Sequence, residues 1–186
     1  DNLITRFINS NNDKKSGLFK KKIQVYVNID KVLLDDKFQI NNFNGNISSE
    51  NGEVILAELN GSFSDQKKLK YTVNSIGNQK ISTLFSDEAE PFLKRYKFVR
   101  GFNEGSLDYY SVKKDGISLS QIKIYDFKLK EVPVLTKILS LASLQGIADL
   151  VSGEGIRFNE FEMNFENKKS LISINEIYAI GPAISI

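Results

Sequence analysis

Glu154 and Glu160 are the nearest this chain comes to a pair of catalytic carboxylates. Acid–base work by two carboxyls needs environments that push their proton affinities apart, or a base set against them. Neither acid has a partner base or a metal-ligand motif near it, so the pair is not read as catalytic. Histidine and cysteine are both absent. Their absence removes the commonest general base and metal ligand, together with thiolate nucleophiles, disulfides and Cys-based metal sites. Gly153-Glu154-Gly155 has the glycines of a phosphate loop without its lysine or its strand-to-helix setting. Lys20-Lys21-Lys22 and Lys67-Lys68 read as solvated charges that blunt strand ends, with contact to lipid phosphates as the other reading. The expectation is a protein that is not an enzyme, with no catalytic residue, no metal site and no cofactor.

The totals narrow the remaining classes. Twenty-five Lys and Arg stand against 23 Asp and Glu, a formal charge of +2, which gives no electrostatic ground for a nucleic-acid partner. With 41% hydrophobic and 26% charged residues, 12 glycines and three prolines, the composition is that of an ordered chain rather than a low-complexity one. No run approaches the ~18 uninterrupted apolar residues of a membrane-spanning helix, and the polar first residues DNLITRFINSNNDKKSG carry no apolar core of signal-peptide length. At 186 residues the chain suits one domain or a piece of something longer and repetitive. The run Gly181 to Ile186 reads as a strand without a closing turn, so a fragment of a longer protein is expected.

The elements that would position any site are strands. Residues 1–17 read as a loose lead-in, and 18–186 as one β-rich segment. From Lys22 to Asp30 the alternation is strict, with Ile23, Val25, Val27 and Ile29 on one face. Phe38 to Ile47 and Val54 to Phe63 follow around Asn51-Gly52, a strong hairpin signal. Leu69 to Ile76 places Leu69, Tyr71 and Val73 together. Ser82 to Lys97 reads as a helical insertion, with Ser86 as N-cap, acids in its first turn, bases in its last and Pro91 inside. Glu104 to Val112 and Ile117 to Lys130 flank the turn Asp115-Gly116, and the apolar phase slips between Ile124 and Phe127 as at a bulge.

Pro133 opens a second helical stretch, 133–151, whose apolar residues include Leu135, Ile138, Leu139, Leu141, Ala142, Ile147 and Leu150. Gln145-Gly146 divides it, and Gly153 and Gly155 end it. Ile156 to Phe165 and Ser170 to Ile180 form a last hairpin. Laid over Ile156 to Ile177, Phe38 to Leu59 matches Phe43 with Phe161, Ile47 with Phe165, Val54 with Ile172, Leu56 with Ile174 and Leu59 with Ile177. The fold class is therefore mainly β: an elongated, curved antiparallel meander of hairpin repeats, an open groove, with short helical insertions near 82–97 and 133–151.

A sheet with one apolar face must cover it with helices, a second sheet or a ligand. On one reading the 133–151 helices lie across the sheet as its core. On the other, the face holds acyl chains, lined by Ile23, Val25, Val27, Ile29, Phe43, Ile55, Leu119, Phe161, Phe165 and Ile174.

The segment VPVLTKILSLASLQGIADLVSGEGIRFNEFEMNF, followed by SLISINEIYAIGPAISI, resembles the C-terminal region of AsmA-like proteins, in the long YhdP-type branch. The shared pattern is Pro133, the Leu-rich run Leu139 to Gly146, Ser152 to Ile156 with Phe158 two places on, a hairpin, and Gly181-Pro182. Within that signature patch fall Pro133, Leu135, Ile138, Leu139, Leu141, Ala142, Gly146, Gly153, Gly155 and Phe158. Upstream, Leu84 to Tyr96 and Gly105-Ser106-Leu107 are similar to the preceding family segment, with Glu104-Gly105 where the family has a Gly-Gly pair. The first hundred residues match only as generic strand repeats.

The resemblance implies a periplasmic segment of an inner-membrane-anchored envelope protein that holds phospholipid in a β-groove. It further implies a role in lipid transport between inner and outer membranes and in outer-membrane integrity, the membranes being met through regions outside this segment. The partner is then phospholipid, with no nucleic acid and with envelope proteins as possible partners. The alternative is a structural or assembly domain of the envelope that binds proteins and carries no lipid.

Overall fold

Alternating apolar and polar residues, punctuated by turn dipeptides, build nine antiparallel strands among the described residues, and these pair in chain order. The structure, a computed structural model, describes residues 22–64, 66–93, 101–130, 155–169 and 171–182. The strands are β1 (Ile23–Leu33), β2 (Gln39–Glu50), β3 (Glu53–Ser62), β4 (Lys68–Ile76), β5 (Gln79–Ser86), β6 (Phe102–Lys114), β7 (Ile117–Leu129), β8 (Ile156–Lys168) and β9 (Leu171–Ile180). A single short helix, α1 (Glu90–Leu93), appears among the described residues. The chain is mainly β, one open meander that does not close into a barrel.

The meander has two unlike ends. At one end lie the tight turns: Asn51-Gly52 and Asp115-Gly116 have positive φ at both central residues, the I′ geometry that matches strand twist. At the other end lie the longer connections 34–38, 63–67, 87–101 and 130–155. Here aromatic side chains collect. Phe102 stacks on Phe127 with centroids 5.1 Å apart, and Phe127 on Phe158 at 5.2 Å. Phe63 meets Phe38 and Phe92 edge-on at 6.4 and 6.5 Å. Phe92 and Leu84 pack against both clusters, so α1 joins the β2–β4 side to the β6–β8 side.

Polar contacts stitch the turn into α1 across this end. Lys68 N donates to Asp87 Oδ2 at 2.7 Å, and Ala89 N donates to the Gly105 carbonyl at 2.8 Å. Two buried carboxylates each receive a lysine from another connection: Lys67 Nζ lies 2.7 Å from Glu88 Oε2 and Lys37 Nζ 2.9 Å from Glu90 Oε1. A buried carboxylate stranded without its cation is costly, so these pairs fix where the segment sits. Lys67 is therefore an ion-pair partner rather than the freely solvated strand-end charge its sequence setting suggested.

The expected helix over 82–97 is a second correction. Residues 82–86 belong to β5, paired on both sides, with Val73 opposite Ser82 and Ser82 opposite Ser111. Helix begins only at Glu90, with Pro91 in its first turn, where a missing N–H costs nothing. The Ser86 hydroxyl donates to the Glu88 carbonyl at 2.6 Å and accepts from Glu88 N at 3.2 Å, which shapes a turn and leaves it outside the N-cap position. Residues 94–97 lie outside the described residues, as do the lead-in 1–17 and the stretch 133–151.

Truncating Phe127, which is stacked on both sides, is expected to cost about 3–5 kcal/mol, as for other buried Phe to Ala changes. Urea denaturation of Phe127→Ala tests this; a loss below about 1 kcal/mol would mean that the aromatic end does not hold the sheet.

Candidate functional site

Strand pairing places side chains of one face in lateral rows, each residue opposite its neighbour on the next strand. One row crosses the whole sheet: Val27, Gly45, Leu59 and Tyr71 on β1 to β4, then Leu84, Tyr109, Ile122, Met163 and Ile177 on β5 to β9. The next row towards the tight turns runs Val25, Ile47, Ala57, Val73, Ser82, Ser111, Ser120, Phe165 and Ile174. Towards the aromatic end, Ile29 faces Phe43, and Leu107, Ile124, Phe161 and Ala179 follow one another across β6 to β9. Together these rows form one apolar face.

The serines interrupt it without leaving loose polar atoms. Ser111 and Ser120 share a hydrogen bond of 2.8 Å, and the Tyr109 hydroxyl lies 3.5 Å from Ser120. Burial raises the Tyr71 phenol above its ordinary value, the hydrogen bond from Ser82 opposing it. Hydroxyls already partnered in this way cost little to cover with hydrocarbon.

The apolar face persists to the aromatic end because several strands reverse their phase at the same level. Asp126 has a positive φ of 51° on β7, Glu104 and Gly105 have 64° and 85° on β6, and Asn42 has 51° on β2. Ile124 and Phe127 thus point to the same side despite their odd spacing and share one cluster with Leu107, as the phase slip in the sequence required.

Of the groove candidates, Ile23, Val25, Val27, Ile29, Phe43, Phe161, Phe165 and Ile174 share this face, and Ile55 sits in the bulge opposite Ser49. Leu119 does not. It pairs with Val112 and Glu166, one residue out of step with Ser120 and Phe165, and so lies on the opposite face. The signature residues Pro133, Leu135, Ile138, Leu139, Leu141, Ala142, Gly146 and Gly153 lie outside the described residues. Phe158 belongs to the aromatic stack on β8. A Cβ at Gly181 would run into the Arg157 carbonyl, which accounts physically for a glycine before Pro182.

The outward face carries the best organised polar cluster. Glu162 Oε1 accepts from Gln121 Nε2 at 2.7 Å and Asn164 Nδ2 at 2.8 Å, while Oε2 accepts from the Tyr178 hydroxyl at 2.7 Å and lies 2.8 Å from Lys123 Nζ. The hydrogen bond from Lys123, then those from Tyr178 and Asn164, hold this carboxyl down to about 2. The hydrogen bond to Glu162 in turn pushes the Tyr178 phenol up to about 12. Such a saturated carboxylate is not a general base; it ties β7, β8 and β9 together. Sequence reading passed over it, although Lys123, Glu162 and Tyr178 all occupy outward phases of successive strands. Among the described residues no cluster of acids forms a metal site.

Comparison with protein-family models, with curated proteins and with solved structures returned no match.

Two outcomes follow from the polar cluster and the register. Glu162 favours its ionised form in the fold, so its contribution is complete above its ordinary value of 4.5 and is lost as pH falls towards about 2. Melting temperatures of Glu162→Gln should therefore fall less steeply than those of the parent chain across that interval; parallel curves would disprove the linkage. Leu119→Ala, 56% exposed on the far face, should change stability by less than about 0.5 kcal/mol by urea denaturation.

Proposed function

We propose that this chain is a segment of a bridge-like envelope protein whose apolar sheet face holds phospholipid acyl chains in the periplasm. As part of an inner-membrane-anchored protein it would support lipid transport between membranes and outer-membrane integrity. What carries the reading is the Val27 to Ile177 row, apolar from β1 to β9 apart from the hydroxyls of Tyr71 and Tyr109, over which among the described residues only α1 and the turn before it pack, at the aromatic end. At their flanks Val25 is 40% exposed and Ile174 is 60% exposed, so hydrocarbon laid there would remove apolar area from water at ~25 cal/mol per Å². The resemblance of the 132–186 segment to AsmA-like proteins supports the same reading. No covalent step is invoked.

A second reading has its own support. On the edge strand β9, Leu171, Ile172 and Ile177 are exposed beside backbone groups that no further strand pairs among the described residues. Such an edge suits protein assembly by strand addition, as an envelope assembly domain without lipid would need.

Native mass spectrometry of the purified chain should show bound phospholipid, lost in Val25→Asp and Ile174→Asp while circular dichroism stays unchanged. Both sites are partly exposed, so the aspartates need not unfold the sheet. A ligand-free mass, with no crosslink to lipid from a photoreactive residue at Phe161, would reject the reading in favour of assembly.

A further inference from the structure

Beyond the serine row the same face changes character. Along the tight-turn end, Ser75 stands opposite Lys80, Lys80 opposite Lys113, Lys113 opposite Ser118 and Ser118 opposite Asn167. Two lysines thus stand directly opposite each other across β5 and β6, on the side that carries the apolar rows. Like charges so placed repel and weaken the pair of strands. The Lys80 side chain is only 25% exposed, and its one ion pair among the described residues, to Glu53, is long at 3.9 Å and reaches an acid that is 64% exposed. An ion pair of that kind contributes little. Lys113 makes no ion pair among the described residues. Burial lowers the Lys80 ammonium below its ordinary value; the Glu53 carboxylate opposes this and the Lys113 charge adds to it. An anion seated between the two lysines would relieve both the desolvation and the repulsion.

The distances suit one class of ligand. From Lys80 to Leu84, on which α1 packs, is four residues of strand, or about 13 Å at ~3.3 Å each. Half the hydrocarbon core of a bilayer, the depth one acyl chain fills, is about 15 Å. An acyl chain lying along the strands therefore covers the open stretch from the lysine row to α1.

The geometry points to Lys80 and Lys113 as a phosphate subsite that holds the headgroup phosphodiester of a lipid at the tight-turn edge, with its acyl chains directed along the strands towards the aromatic end. This rests on the lipid-holding reading above and adds to it an orientation and a recognised group. Donors from both lysines give charge-assisted hydrogen bonds to the phosphate oxygens, and Ser75, Ser118 and Asn167 place further polar groups in the same row.

Binding of phosphatidylglycerol, of diacylglycerol with the same acyl chains and of inorganic phosphate is measured by native mass spectrometry on the whole chain. The parent chain, K80Q, K113Q, K80Q/K113Q and K70Q are compared, Lys70 being a lysine of the opposite face that pairs with Glu58. Phosphatidylglycerol should bind the parent at least about tenfold more tightly than diacylglycerol, a preference that the double variant abolishes and K70Q retains. Removing one of two repelling charges should leave the melting temperature unchanged or raised; should the double variant not fold, K113Q alone, changed at an exposed position, must still reduce the preference.

Equal binding of both lipids by the parent chain, or equal losses in K70Q and K80Q/K113Q, would overturn the subsite and leave the acyl-chain reading standing. Failure of both lipids to bind would overturn the two together. Lysine-dependent binding of inorganic phosphate without lipid would assign the site to a soluble anion and overturn the headgroup assignment.

Discussion

The stack Phe102–Phe127–Phe158 is the constraint on which the open sheet depends. An antiparallel meander with one apolar face has no intrinsic reason to stay ordered at both ends, since each strand touches only its two neighbours. Here three strands are locked by rings about 5 Å apart, and Phe92 on α1 extends the lock to the Phe38–Phe63 cluster. The pairs Lys37–Glu90 and Lys67–Glu88, each with its carboxylate buried, serve the same end by holding α1 in place. Stability is thereby concentrated where the connections are long, and the tight turns, which need less support, close the other end.

That concentration explains why the backbone departs from regular strand where it does. Without the positive φ at Asp126 and at Glu104-Gly105, strict alternation would carry Phe127 and Phe102 to the face away from Leu107 and Ile124. A residue such as Asp126 in the left-handed region is strained by of order 1 kcal/mol. Burying one phenylalanine is worth ~1.5–3 kcal/mol, so the reversal is favourable wherever it brings a ring into the cluster.

Much of this was legible in the chain. Alternation in 22–30 and 69–76 and the dipeptides Asn51-Gly52 and Asp115-Gly116 located β1, β4 and two hairpins, and the slip between Ile124 and Phe127 announced the bulge. The matching of hairpins also has a geometric counterpart: Phe43 and Phe161, Ile47 and Phe165, and Leu59 and Ile177 occupy corresponding rows. Leu56 and Ile174 do not correspond, because bulges at Ser48/Ser49 and Asn164/Phe165 shift the phase within each hairpin. Strand β5 was hidden for a different reason. Its inward residues Lys80 and Ser82 are polar, so periodicity was weak and the acids and Pro91 that follow suggested a helix, although Gly77-Asn78 before it was a usable turn signal. Leu119 was misplaced by treating an apolar residue as inward without following the register from Ser120.

The face is graded in one direction and nearly uniform in the other, and this anisotropy bears on how a bound chain could move. Along the strands, polarity rises from phenylalanine through aliphatic and hydroxyl rows to the lysine row. Across them, the Val27 to Ile177 row stays apolar from one edge to the other, its only hydroxyls being those of Tyr71 and Tyr109. Nine strands at ~4.8 Å spacing make that row about 38 Å wide, more than the ~15 Å depth of a single acyl chain. A chain shifted towards the lysines would exchange apolar contact for polar, at ~0.8 kcal/mol per methylene exposed. Shifted sideways by one strand it would exchange one aliphatic neighbour for another. Under the lipid-holding reading, the gradient fixes depth and orientation while the rows leave sideways displacement nearly free, which is what a track across the sheet requires.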